Sequence, residues 1–68
     1  MDGPEEREVY FEFTAMAGSV KVSAIDALTG IEVSVVGPAG AARADLQRLA
    51  LHKLKAKLRH QGSEVRDQ

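Results

Sequence analysis

Residues 9–38 read VYFEFTAMAGSVKVSAIDALTGIEVSVVGP, and apolar side chains recur through this stretch at every second position. Successive side chains of a strand point to opposite faces, so a period of two is the mark of a half-buried strand. From Ala42 to His60 the apolar spacing lengthens to three or four, the period of a helix with one buried stripe. The change of period predicts an α+β fold: a three-stranded antiparallel meander packed by one C-terminal helix (βββα).

Within the quoted stretch, Val9, Phe11, Phe13 and Ala15 alternate with Tyr10, Glu12, Thr14 and Met16, and Ala17-Gly18 ends the run. A second run sets Val20, Val22 and Ala24 against Lys21, Ser23 and Ile25. A third sets Ile31, Val33 and Val35 against Glu32, Ser34 and Val36, with Gly37 and Pro38 expected to stop it. Strands that share a core face must pair inward residues with inward residues. A two-residue turn at Ala17-Gly18 satisfies this by pairing Phe13 with Val22 and Phe11 with Ala24. A four-residue loop from Ala27 to Gly30 satisfies it by pairing Ala24 with Val33 and Val22 with Val35. Asp26 is placed to bond loop amides, and Gly30 to take the left-handed conformation of a type I turn with a bulge.

On the helix, Leu46, Leu49, Ala50, Leu54 and Leu58 form the stripe expected to cover the sheet. Its start near Gly40 to Ala42 has no Ser, Thr, Asn or Asp to cap it, although Asp45 suits the positive end of the dipole.

A chain of 68 residues with 28% charged and 44% hydrophobic side chains is an ordinary globular composition for one domain. Residues 1–7 and 61–68 hold little to bury and are expected as flexible tails around a domain at 8–60. Cysteine is absent, which removes disulfides and thiolate metal sites. His52 and His60 are too far apart to form the adjacent-turn pair that clamps zinc, so no metal and no cofactor is expected. Neither a signal peptide nor an apolar run of about 20 residues is present, so a cytoplasmic protein with no membrane partner is expected. A core this small yields about 3–5 kcal/mol and usually needs a staple; association is the one left.

Three features could carry function. Residues 43–60 hold six Lys or Arg and one Asp, so the helix is about +5 and the remainder −6. Arg48, His52, Lys55 and Arg59 share one side of that helix, a line that could contact anions or follow a phosphate backbone; a solvated helix face explains it more simply. The Gly37-Pro38-Ala39-Gly40 turn precedes a helix start, where free amides hold anions; it lacks the spacing of a phosphate loop and reads as a plain connection. The outer sheet face carries Tyr10, Ile25 and Val36, more apolar than a solvated face requires, and they form a candidate interface.

No catalytic residue is expected. The serines have no nucleophile elbow of the GxSxG kind, and both histidines lie on the helix. One helix on one small sheet leaves little room for a substrate pocket.

Val20, Lys21, Val22, Ile25, Asp26, Thr29, Gly30, Glu32, Val33, Gly37 and Pro38, followed by Leu-Ala-x-x-Lys-Leu at Leu49 to Leu54, carry a further signal. This pattern resembles a family of short bacterial proteins of unknown function: three strands with an Asp-x-x-Thr-Gly hairpin, then Gly-Pro and one helix. The resemblance implies a bacterial origin and brings no activity, ligand or site residue with it.

The expected function is a non-enzymatic protein-interaction module. It should form a homodimer and present a surface to an unidentified protein partner. The dimer should join through a strand edge or through Tyr10, Ile25 and Val36, because only Glu12 and Glu32 discourage pairing at either edge. The alternative is a nucleic-acid or ribosome-associated protein that uses the basic helix line.

Overall fold

The computed structural model describes residues 8–63, with side chains described to residue 60. Three strands, β1 (Val9–Met16), β2 (Ser19–Asp26) and β3 (Glu32–Pro38), form one antiparallel sheet in the order β1-β2-β3, and a helix, α1 (Arg43–Ser63), follows. The tails expected at 1–7 and 61–68 lie outside the described residues, except that 61–63 continue the helix. The helix runs three residues past its expected end at His60.

Both registers are those the inward pattern requires. Phe13 faces Val22 and Phe11 faces Ala24 across the first hairpin; Ala24 faces Val33 and Val22 faces Val35 across the second. In the first turn only Gly18 takes a positive φ, +72°, and Ala17 does not, so the turn is neither type I′ nor type II′.

The second loop is built by Asp26. Its Oδ2 accepts the Thr29 N–H at 3.0 Å and the Thr29 hydroxyl at 2.7 Å, and the residue is fully buried. Gly30, at φ +79°, turns its N–H onto the Asp26 carbonyl at 2.8 Å. The Ile31 N–H is left to donate to Thr29 Oγ1 at 3.2 Å, while the Ile31 carbonyl accepts from the Asp26 N–H at 2.9 Å. The extra residue is absorbed as a bulge, and the ladder resumes in step.

β3 does not stop at Gly37. Gly37 pairs with Val20 and Pro38 with Ser19, because an edge strand can hold a proline whose missing N–H would face outward. Gly37 is buried, and the absent side chain makes room for Leu46: a Cβ built there would lie 2.6 Å from Leu46 Cδ2.

The core is Val20, Val22, Ala24 and Val33 under Leu46, Ala50 and Leu54, with Val9, Phe11, Phe13, Ile31, Val35, Ala41 and Leu58 around it. Leu49, expected in the stripe, is 56% exposed. At about 100° per residue, each four-residue step from Leu46 to Ala50 to Leu54 advances the buried row by about 40°. The three-residue step to Leu49 goes back by about 60°, onto the solvent side. The helix begins as expected without a side-chain cap: the Ala42 carbonyl accepts the Leu46 N–H at 3.2 Å.

Candidate functional site: the open edge of the sheet

α1 lies across β2 and β3. On the β1 side the Arg43 guanidinium carbon of α1 stands 5.1 Å from the centre of the Phe13 ring. Val9, Phe11 and Phe13 are therefore only half-buried, although they share a face with fully buried Val22 and Ala24.

The ladder alternation decides which backbone groups face outward. The Ala27 N–H donates to the Glu8 carbonyl at 3.1 Å, so in β1 the even-numbered residues bond β2. The N–H and C=O groups of Val9, Phe11, Phe13 and Ala15 then point away from the sheet. The same alternation runs through β3, where the Asp26 N–H to Ile31 carbonyl bond turns the backbone groups of Glu32, Ser34 and Val36 outward.

The two edges differ in what covers them. Lys53 reaches down from α1 and donates its Nζ to the Ser34 carbonyl at 2.8 Å, in the middle of the β3 edge. Pro38 removes a donor at one end of that edge, and Glu32 places a charge at the other. These are the means by which natural sheets discourage edge pairing. The expectation that only Glu12 and Glu32 discourage edge pairing is corrected for β3, which Lys53 and Pro38 guard as well; among the described residues β1 has the charge of Glu12, with Glu8 at its start, and neither a proline nor a side chain bonded to its outward backbone groups.

The family model of a domain of unknown function (DUF6898) matches residues 6–61. The chain belongs to this family. Neither a curated protein nor a solved structure matches it.

In this DUF6898 domain the residues of the expected basic line, Arg48, His52, Lys55 and Arg59, fall on one side of α1, exposed except for half-buried Lys55. The line is weaker than its charge count. Arg48 is paired with Asp45 at 2.6 Å, while two other helix cations, Arg43 and Lys53, are turned onto Phe13 and onto the β3 edge. On the outer sheet face Tyr10 and Ile25 are direct cross-strand neighbours, but Val36 pairs with Lys21, two rows further along. The row between them is polar: Glu12, Ser23 and Ser34, with the two serine hydroxyls 3.0 Å apart. Tyr10, at 52% exposed, and Val36, at 61%, are two separate apolar spots.

Sequence reasoning missed Lys53 and the burial of Ser23, which is 4% exposed. Lys53 sits between Leu49 and Leu54, and nothing in the pattern says that its side of the helix overhangs a strand edge. Among the described residues no cluster of His, Asp or Glu is arranged to hold a metal ion, and no helix is long and apolar enough to cross a membrane.

Proposed function

We propose that this domain is a non-enzymatic interaction module that self-associates through the edge of β1. One observation carries the reading: of two strand edges in one small sheet, β3 is covered by Lys53, while β1 keeps its outward amides beside the half-buried side chains of Phe11 and Phe13. A strand added at that edge bonds the free backbone groups and extends the apolar face that α1 leaves half covered. The added contact is also what a core of this size lacks. A further protein partner, and the bacterial, cytoplasmic setting expected from the sequence, belong to the same proposal.

Sedimentation equilibrium of the full chain near 100 μM, an order-of-magnitude choice for a weak dimer, should return the mass of two chains. Val9→Pro removes one outward N–H and leaves the β1–β2 ladder intact, so this variant should sediment as one chain with its circular dichroism unchanged. A wild-type mass of one chain, with a melting temperature independent of concentration, would refute the proposal. Retention on heparin that falls steeply with salt would favour the nucleic-acid reading instead.

A further inference from the structure

Resting on the β1-edge reading just given, we infer that the partner is a second copy of this chain, paired antiparallel about a two-fold axis through Phe11. Register sets the pairing. A continuous sheet with both helices on the same side must pair odd-numbered residues with odd-numbered residues, since those carry the outward amides and face the helix. The numbers of paired residues then add to an even total, and only 22, 24 and 26 leave seven or more residues of Glu8 to Met16 paired on each strand; 20 and 28 leave five.

A total of 24 sets Glu12 directly opposite its own copy, and like charges at that spacing repel. A total of 26 centres the pair on Phe13. Each Phe13 ring already carries an Arg43 guanidinium 5.1 Å above it, so this register crowds two cations onto one spot.

A total of 22 avoids both faults. Phe11 meets its copy on the axis, Phe13 lies beside Val9, Glu12 lies beside Tyr10, and Glu8 lies beside Thr14. The inner row becomes a continuous strip of large and small apolar residues, and no charge faces its like. The two Arg43 groups follow their Phe13 rings to positions four residues apart along the strand, about 14 Å at 3.4 Å per residue, beyond the screening length at about 0.1 M salt.

The sequence contains no cysteine, so a single nitroxide can be placed on the outer face without competing thiols. Met16, 42% exposed on the outer face beside the turn, lies ten residues from its copy in the proposed register, eight in the second and six in the third. At 3.4 Å per residue the backbone separations are about 34, 27 and 20 Å. Pulsed electron paramagnetic resonance on spin-labelled Met16→Cys in the full chain should give the longest of these. Thr14→Cys should give about 20 Å, where the other registers give about 14 and 7 Å. The labelled variants are first shown to keep the unlabelled mass and melt. A mass of two chains with a Met16 distance near 27 or 20 Å overturns this register and leaves self-association standing. A mass of one chain overturns both.

Discussion

Gly37→Ala and Gly40→Ala add the same methyl group three residues apart and should move stability in opposite directions. At Gly37 the new Cβ would lie 2.6 Å from Leu46 Cδ2 and 3.1 Å from Cδ1. Carbon atoms rest at about 3.5–4.0 Å, so the Leu46 tip must withdraw by about 1 Å. Leu46 is 6% exposed and packed in the core, which makes that withdrawal an overpacking defect of about 1–3 kcal/mol. Loss of glycine freedom in the unfolded chain offsets about 0.4–1 kcal/mol, leaving a net loss of about 0.5–2 kcal/mol. At Gly40 nothing lies within 4 Å and φ is not positive, so only the unfolded-chain effect remains, a gain of about 0.4–1 kcal/mol. Urea unfolding followed by circular dichroism at fixed chain concentration measures both. In a Leu46→Ala background the Gly37→Ala penalty should vanish, since the atoms it strikes are gone. Equal shifts for the two glycines, or a Gly37→Ala penalty undiminished by Leu46→Ala, would refute the packing argument.

Leu54→Ala, at a site with no exposed surface, should cost about 2–5 kcal/mol, enough to unfold much of a domain this size at 25 °C; Leu49→Ala should cost under about 1 kcal/mol, and thermal melts of the pair check it. Asp26→Ala leaves the Thr29 N–H and hydroxyl without the oxygen they share and should cost about 1–3 kcal/mol, with faster hydrogen exchange at the Thr29 amide as the local readout. Lys53→Ala should change monomer stability by under about 0.5 kcal/mol yet uncover the Ser34 carbonyl, so sedimentation should show assemblies larger than the wild type; an unchanged mass would mean that Lys53 does not guard the edge.

Local chemistry read from the chain was sufficient for the meander. The alternation of Val9 to Val36 assigns every strand residue to a face, and Ala17-Gly18 and Asp26 to Gly30 each supply a loop that keeps inward residues together. A slip of one residue would put Phe11 and Phe13 in water, and this penalty makes register legible without coordinates. The helix was legible in kind but not in aim. Leu49 and Leu54 look alike in a pattern of threes and fours, and only the direction in which the buried row drifts across α1 separates them.

The sequence by itself therefore determined the elements, their order, both registers, and the roles of Asp26 as an acceptor for a loop amide and of Gly30 as the left-handed residue, because each depends on residues close in sequence or on a parity that pairing must obey. Tertiary structure alone decided where α1 lies across the sheet. From that position follow the burial of Gly37 under Leu46, the reach of Lys53 to Ser34, the stacking of Arg43 on Phe13 and the half-cover over β1. Helical periodicity records which side of a helix is apolar; it does not record which pair of strands that side will cover. The difference between a guarded edge and an open one arises from that placement.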